Sequence, residues 1–301
     1  MRQQIDWRPF RLLVRKVYRD GCAAGGRPHT DELVIVRTLL LQGWYGLSDE
    51  ELEYQCNDRL SFRNFLGFPE TVPDFTTIWK ARDRLQEARA DVKILAELQR
   101  QLDEKGYRIK EGVIQDASFI EAEYGRARRA REKAAEKKGE PIEYTPKQRA
   151  HMDKDSTYAV KGKEIHFGYK LHTKPDVTHG LIRSIETTTA STNDINLVKE
   201  GDVAAFRDKG YFGTELPQGV RDETMQRAVR GRKLNGGEQR RNRRISRTRS
   251  KGERPFAVIK GVFHGGVTFV TTLARVHIKN IFTSFAFDLY QLVTLRRVAL
   301  A

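Results

Sequence analysis

The chain has 301 residues, of which 39% are hydrophobic and 32% are charged. That balance excludes an intrinsically disordered or membrane-embedded protein and indicates a globular fold with a polar surface. A formal net charge of +15 favours a polyanionic partner, most simply nucleic acid, because lysine and arginine release the counterions condensed on phosphates. Cys22 and Cys56 provide neither a disulfide framework nor a zinc-binding pattern, so a reducing, cytoplasmic location is expected.

The first third of the chain is predicted to form several short helices separated by glycine or proline. An apolar helix with acidic residues at its start follows Asp31, and Gly43 and Gly46 are expected to break it. Further helices are expected at the capping box Ser48–Glu51, over residues 76–85 after Pro73–Asp74, and over residues 91–105. This series predicts an all-helical N-terminal unit over residues 1–105.

Two functions fit this helical unit equally well. A helix-turn-helix that reads DNA would present the polar and basic side chains of the helix at residues 76–85. The candidates for such contacts are Thr76, Thr77, Lys80 and Arg84. A unit that only packs or dimerises would show the same pattern, so the sequence leaves both possibilities open.

After Gly106 the apolar pattern changes from helical to β-type, with Asp116 at the centre of a strand-like run over residues 107–121. Aspartate is disfavoured in strands and no cation neighbours it in sequence, so Asp116 needs a metal ion or a buried partner. Residues 126–149 contain nine lysines or arginines and four glutamates, within a basic insertion over about residues 121–163. This insertion fits a solvated linker as well as an arm that follows DNA.

The elements downstream of the insertion predict the fold of the rest of the chain. A strand is expected over residues 165–174, a hairpin partner from Gly180, a helix capped by Asn193–Asp194, and a short strand that ends at Asp208. Acidic residues at the ends of the first and fourth strands, followed by one on a later helix, are typical of an α/β ribonuclease-H-like domain, here over residues 106–301. Three histidines match no metal-ligand spacing and are expected to be ordinary strand or turn residues: His166, His172 and His179.

The third acidic residue, Glu253, lies in a predicted helix between two cations. On a 3.6-residue repeat Arg249, Glu253 and Lys260 share one face, which taken alone fits best a solvated surface with ordinary ion pairs. The preceding residues 227–251 contain eleven lysines or arginines and a single acid, Glu238. Such a cationic run would bring a DNA duplex to Glu253.

Three carboxylates suit the cleavage of a phosphodiester bond. Two Mg2+ ions about 3.5–4 Å apart can activate the nucleophile and neutralise charge on the entering and leaving oxygens. Because Mg2+ prefers oxygen ligands, Asp116, Asp208 and Glu253 are the predicted metal ligands and catalytic residues, and Mn2+ is expected to substitute. Contacts to DNA phosphates are predicted for cations near these acids: Arg249, Lys260, Arg247, Arg244 and Lys209.

These residues resemble the motifs of the DDE transposases of bacterial and archaeal insertion sequences. The first-aspartate motif is similar to Gln115-Asp116-Ala-Ser, the second to Asp208-Lys-Gly-Tyr211, and the Tyr-x2-Arg-x3-Glu-x6-Lys signature to Arg249, Glu253 and Lys260, with Ser246 in place of the tyrosine. Residues 31–85 are similar to the N-terminal domain of the insertion-sequence-five family. The resemblance extends to about Leu295 and therefore covers nearly the whole chain.

The resemblance implies an enzyme that binds terminal inverted repeats, hydrolyses DNA at the element ends and joins the freed 3′-hydroxyl to target DNA. Homo-oligomers on DNA and a cytoplasmic, nucleoid-associated location are expected with it. The alternatives are a metal-dependent nuclease without strand transfer and a non-catalytic or domesticated DNA-binding protein. No membrane partner is expected, because charged residues interrupt the apolar stretch at residues 281–300, which is read as a packing helix.

Overall fold

Six helices form the N-terminal part of the chain. The structure, a computed structural model, describes residues 3–18, 29–123, 125–150 and 152–300, so Cys22 lies outside the described residues. The helices are α1 (Arg8–Arg15), α2 (Glu32–Tyr45), α3 (Asp49–Asp58), α4 (Leu60–Leu66), α5 (Phe75–Glu87) and α6 (Ala90–Glu104). The helices predicted in this region are therefore confirmed, with small shifts at their ends.

Side-chain caps explain where three of these helices begin. Asp31 accepts hydrogen bonds from the backbone at the start of α2, and Asp74 accepts one from Thr77 N at 2.6 Å at the start of α5. Ser48 caps α3 by accepting from Glu51 N, but the return bond of a capping box is absent because the Glu51 carboxylate accepts from Gln55 instead. The predicted break at Gly43 is wrong, since α2 continues through it to Tyr45 and ends at a left-handed Gly46.

The remaining elements contain eight strands. In chain order they are β1 (Val113–Ile114), β2 (Asp116–Ala122), α7 (Arg126–Lys138), α8 (Pro146–Ala150), β3 (Thr157–Lys161), β4 (Glu164–Pro175), β5 (Ile182–Thr189), β6 (Ala204–Arg207), β7 (Arg221–Thr224), α9 (Gly236–Arg249), α10 (Glu253–Ala257), β8 (Val267–Thr268) and α11 (Leu273–Leu300). A 3-10 turn precedes α10 over residues 250–252, and a π turn follows it over residues 258–262. Three of these strands were not predicted from sequence: β3, β7 and β8.

The strands form one mixed arrangement whose centre is the β1–β2 segment. β1 pairs in parallel with β6, and β6 in parallel with β7. β2 pairs antiparallel with β4, which pairs antiparallel with β5. Only Gln115 separates β1 from β2, and its N–H continues the pairing by donating to Phe206 O at 3.1 Å. Two sheets, β1-β6-β7 and β3-β4-β2-β8 with β5 paired to β4, thus meet at Gln115, and with their flanking helices they confirm the predicted ribonuclease-H-like α/β fold.

The helix predicted after Asn193–Asp194 is wrong, because residues 193–199 are irregular. Other parts of the protein occupy the polar groups that a helix there would use. Lys170 Nζ donates to Thr192 O at 2.7 Å and to Asp194 Oδ1 at 3.0 Å, and the Gln115 amide donates to Ile195 O. Tertiary hydrogen bonds therefore replace helical ones in this segment.

The N-terminal helices share their hydrophobic core with the C-terminal helix α11. One continuous cluster contains Leu39 of α2, Ile78 of α5, Leu98 of α6, Ile185 of β5 and Phe285 of α11. An ion pair also joins α5 to α11, in which Arg275 Nε lies 2.6 Å from Asp83 Oδ1. The core therefore extends across position 105, and α11 packs against both parts as the sequence predicted for a packing helix.

No helix in the described parts of the chain combines the length and the apolar character needed to cross a bilayer.

The crossing of α2 and α11 depends on a glycine. A Cβ added to Gly43 would lie 2.8 Å from both the Cα and the N of Thr283. We expect Gly43→Ala to reduce the free energy of unfolding by about 1–3 kcal/mol, because the two backbones must separate. That loss exceeds the gain of about 1 kcal/mol that alanine brings to a helix.

Chemical denaturation of the two proteins measures this difference. Gly261→Ala is the matched control, because a Cβ at Gly261 meets no heavy atom within 4 Å. An unchanged denaturation midpoint for Gly43→Ala would show that the helices do not cross as closely as the structure has them.

Candidate active site

Asp116 and Asp208 lie side by side at the centre of the sheet. Ile114 of β1 is paired with Phe206 of β6 in a parallel register. The residue separations 206 − 114 and 208 − 116 are both 92, so this register, continued two residues beyond β1 and β6, brings Asp116 level with Asp208, whose charge acts on it. Adjacent strands are about 4.7–4.9 Å apart, which places the two carboxylates within reach of one another.

Each aspartate has one oxygen bound by its own backbone. Ala117 N donates to Asp116 Oδ1 at 2.9 Å, and Gly210 N donates to Asp208 Oδ1 at 2.7 Å. The second oxygen of Asp116 lies 3.4 Å from Arg249 Nη2. Both carboxylates therefore have fixed orientations, and Arg249 supplies the nearest positive charge to Asp116.

Burial raises the pKa of Asp116 above its ordinary value of 3.8, and the charge of Asp208 acts in the same direction. Arg249 and the Ala117 N–H oppose this shift, with a smaller contribution from Lys161. Beside the pair, burial raises the pKa of the Tyr211 hydroxyl, which also feels the charges of both aspartates. Asp116 is therefore a partly desolvated acid whose charged form is disfavoured by burial and by the neighbouring charge of Asp208.

The turn that precedes Glu253 packs on β1, the strand before Asp116, but the Glu253 side chain is exposed. The 3-10 turn before it packs on the sheet, since a Cβ on Gly252 would lie 2.6 Å from Ile114 Cγ2. Among residues 3–18, 29–123, 125–150 and 152–300, no three acidic, histidine or cysteine side chains converge as a metal site. The structure thus brings two of the three predicted ligands together, and the role of Glu253 stays a prediction.

The expectation that Arg249, Glu253 and Lys260 share the face of a single helix is wrong. The 3-10 turn over residues 250–252 and the π turn over residues 258–262 interrupt the helical repeat on both sides of α10. Lys260 lies close to Glu121 and Lys161, whose charges act on it, and burial lowers its pKa. Arg249 is therefore the signature cation beside Asp116, and Lys260 faces the other end of β2.

Basic side chains surround the approach to the aspartates. α9 begins with a capping box between Asn235 and Glu238 and presents an exposed Arg247 near its end. Arg244 is exposed but bound to Glu223 at 2.8 Å, and Lys209 is exposed directly after Asp208. Arg241 has a structural role, since its guanidinium donates to the carbonyls of Asp222 and Thr224 along β7.

The DNA-reading candidates of the N-terminal part lie on α5. Lys80 and Arg84 are exposed, and the guanidinium of Arg84 lies 5.1 Å from the ring centroid of Tyr18. The opposite face of α5 is fixed by Arg82, which is 1% exposed and donates to Gln42 Oε1 at 2.9 Å. The helix is therefore firmly packed on one side and presents its basic side chains on the other.

The donor chemistry of the acid pair fits a hard divalent cation. Carboxylate oxygens are the ligands that Mg2+ and Mn2+ prefer, and two neighbouring carboxylates in a partly buried site repel each other until a cation neutralises them. The histidines of this region have other partners: His166 bonds Glu121, His172 bonds Thr188 and His179 pairs with Asp176. Asp116 and Asp208 thus offer oxygen ligands only, and metal binding by them stays a prediction.

Sequence reasoning missed two basic residues near the site. Lys161, at the end of β3, is close enough for its charge to act on Asp116, and Lys170 is tied to Asp194 beside Tyr211. The alternation Thr157-Tyr-Ala-Val followed by Gly162-Lys163 is a hairpin signal, so β3 could have been found within the insertion.

A ribonuclease-H-like sheet with two aspartates side by side at its centre is the framework of enzymes that cut and join nucleic-acid strands. Comparison with known families agrees with this class. A model described as a transposase DDE domain matches residues 107–289, and one described as a transposase domain (DUF772) matches residues 1–84.

The first match alone covers more than half of the chain, which therefore belongs to the DDE transposases of insertion sequences. The pair of domains is typical of the insertion-sequence-five family, as the motifs in the sequence indicated. Enzymes of this family generally use divalent metal ions. No solved structure matches the chain.

Proposed function

We propose that this DNA transposase binds the terminal inverted repeats of its element, hydrolyses the phosphodiester bond at each end and joins the freed 3′-hydroxyl to target DNA. The observation that supports the proposal is that Asp116 and Asp208 follow the adjacent parallel strands β1 and β6 and act on each other by charge, with Arg249 beside Asp116. Asp116, Asp208 and Glu253 hold the metal in this proposal, with Mg2+ as the physiological ion. Bound divalent ions supply charge neutralisation at the entering and leaving oxygens.

The protein groups orient the DNA. Arg249 neutralises the phosphate beside Asp116, and Arg244, Arg247 and Lys209 hold the neighbouring backbone. Lys260 contacts the backbone farther along, since it lies near Glu121 at the other end of β2. Glu253 is exposed at the start of α10, and in this proposal its side chain turns towards the acid pair when metal and DNA bind.

In this proposal the two parts of the chain have different roles. Residues 1–105 recognise the terminal repeats and residues 106–301 carry out the chemistry, acting on DNA in the nucleoid. Two ends must be cut together, so a homo-oligomer assembles on DNA. A nuclease without strand transfer and a non-catalytic DNA-binding protein are the competing functions.

The exposed basic face of α5 gives a test of recognition by the N-terminal part. We expect the double substitution Lys80→Ala and Arg84→Ala to weaken binding to the terminal repeat about tenfold or more, because base contacts and phosphate contacts are each worth about 1–3 kcal/mol. Titration of labelled DNA over a range of salt concentrations measures the affinity. The matched control is Lys93→Ala with Arg89→Ala, which removes two exposed cations from the neighbouring α6 region. If both double variants bound the repeat with equal affinity, α5 would have a packing role and would not recognise the DNA.

Cleavage itself is tested with the DNA that flanks the gene. Purified protein is incubated with that DNA and Mg2+, and new 3′ ends are mapped. Ends at the borders of the element together with joined products support transposition, and ends without joined products indicate a nuclease. Absence of nicking with both Mg2+ and Mn2+ would identify a non-catalytic DNA-binding protein.

A further inference from the structure

A two-stranded hairpin projects beside the active site. β3 pairs with the first residues of β4 from Thr157 opposite Gly168 to Lys161 opposite Glu164. The turn consists of Gly162 and Lys163, and Gly162 has the positive φ of +65° that a tight turn of this kind requires. β3 and the turn lie in the basic insertion over about residues 121–163, for which the sequence left a solvated linker and an arm that follows DNA equally open.

The tip of this hairpin carries two large apolar side chains in solvent. Val160 and Ile165 are directly opposite one another, and they are 70% and 63% exposed. Single exposed apolar residues are common on protein surfaces. Here two of them are adjacent across a pair of strands, and Lys161, Lys163 and the exposed Glu164 lie next to them in the turn. Together they form an apolar point beside a turn of net positive charge.

The base of the hairpin is held rigidly. Phe167 is 1% exposed, and its ring centroid lies 4.7 Å from that of Tyr158, whose hydroxyl donates to Arg126 O. The Glu121 carboxylate accepts from Phe167 N at 3.0 Å and lies 2.7 Å from His166 Nδ1. The apolar row Tyr158–Phe167 is thus anchored in the protein and continues outward as Val160 and Ile165.

The hairpin continues β4 beyond Gly168, which pairs with Glu121 at the end of β2, and it borders a cavity next to the residues that follow Asp116. A cavity of about 350 Å3 is lined by Ala117, Ser118 and Phe119 on one side and by residues 158–161 on the other. Lys161 is near enough for its charge to act on Asp116. Val160 and Lys161 share this cavity with Ala117, the neighbour of Asp116, so DNA whose phosphate reached the acid pair would pass next to β3 of the hairpin.

We propose that the β3–β4 hairpin is a wedge that inserts Val160 and Ile165 between base pairs next to the phosphodiester bond to be cut. Apolar side chains inserted in this way unstack a base step, and a displaced base can leave the duplex. Lys161 and Lys163 hold the phosphates on either side, and the cavity beside Phe119 receives the displaced base. This inference rests on the proposed function, because it concerns the same DNA. The lysines at the tip and the net charge of +15 favour DNA as the occupant over a second copy of the chain.

The test compares the wild type with the double variant Val160→Ser and Ile165→Ser. The probe is a duplex of the element end with 2-aminopurine placed at successive positions around the end, without divalent metal. We expect wild-type protein to raise the fluorescence at one or two positions and the double variant to lose at least three quarters of that rise. We also expect cleavage of paired DNA to fall about tenfold or more and to recover on DNA with mismatched bases at those positions.

Val298→Ser is the control, because Val298 is also 70% exposed and lies on α11. An undiminished fluorescence rise in the double variant would overturn the wedge, as would a cleavage defect that mismatches do not restore. Loss of a dimer by the double variant in sedimentation, with normal unstacking, would assign the pair to a second copy and also overturn it. Because the fluorescence reading needs no metal, it is independent of cleavage, whose absence in the wild type would instead defeat the proposed function.

Discussion

Replacing Glu253 with glutamine is expected to lower the rate of Mg2+-dependent DNA cleavage by about 10³-fold or more while DNA binding persists. The amide keeps the size of the side chain but removes the negative charge that a divalent cation requires of a ligand. Loss of metal-assisted charge stabilisation is worth several kcal/mol in the transition state, and each 1.36 kcal/mol corresponds to a factor of ten. Mapping of 3′ ends gives the rate, and DNA retention in a gel gives the binding.

This substitution tests the role of Glu253 directly, because its side chain is exposed and forms no metal site with the two aspartates in the described part of the chain. Glu200→Gln is the matched control, since Glu200 is also exposed and undergoes the same change in charge. Both variants are expected to bind DNA like the wild type, because neither residue belongs to the core. Cleavage by Glu253→Gln at the wild-type rate would remove Glu253 from the site and leave only the two aspartates.

Replacing Asp116 with asparagine is expected to abolish cleavage without lowering the melting temperature. The pKa of Asp116 is raised in the folded protein, chiefly by burial, so ionisation of the carboxyl costs stability at every pH above its ordinary pKa of 3.8. At pH 7 the neutral amide removes that cost and the repulsion from Asp208. It sacrifices the contact with Arg249 at 3.4 Å, which is the smaller effect.

Asp176→Asn is a control for which the opposite result, a lower melting temperature, is expected. Asp176 is fully buried, lies 3.0 Å from Arg183 Nε and accepts a hydrogen bond from His179 N at 2.6 Å. Breaking one partner of a buried ion pair costs about 3 kcal/mol or more, so this variant should melt well below the wild type. If Asp116→Asn also melted several degrees lower, Asp116 would have a structural role. Its ionised carboxyl beside Asp208 would then not reduce the stability of the protein. Calorimetry at pH 7 measures all three proteins.

The positions of the two aspartates could be predicted from the sequence, because each lies in or directly after a strand that the apolar pattern defines. Asp208 was predicted at the end of a short strand, and the structure confirms β6 at residues 204–207. Asp116 was predicted within a strand and lies directly after the break at Gln115. Apolar runs bounded by polar turns are sufficient to define such elements, and the parallel register then fixes the distance between the two aspartates.

The position of Glu253 did not follow, because it depends on contacts that a helical repeat does not reveal. A continuous helix was assumed from Arg249 to Lys260, whereas close packing of Gly252 on Ile114 tightens the backbone into a 3-10 turn. The helix expected at Asn193 failed for a similar reason, since Lys170 and Gln115 bind its polar groups. Local propensity yields to tertiary contacts at both places, to packing at Gly252 and to hydrogen bonds after Asn193.

The expected break at Gly43 failed because a glycine inside an apolar helix can have a packing role. Gly43 allows the backbone of α2 to approach Thr283 of α11, a partner 240 residues later in the chain. Nothing in the local sequence identifies that partner. The hydrophobic core that the N-terminal helices share with α11 could not be predicted either, because local sequence does not identify contacts between residues so far apart in the chain.

Because α11 comprises residues 273–300, the ribosome makes it after all the other described elements. At about 5–20 residues per second, the N-terminal helices wait many seconds after their own synthesis for the helix that covers them. During that interval Leu39, Ile78 and Leu98 lack their final neighbours and are available to chaperones. A premature stop codon before residue 273 would leave these helices without a partner, so a shortened product of this gene is expected to be degraded rather than to persist as a free DNA-binding fragment.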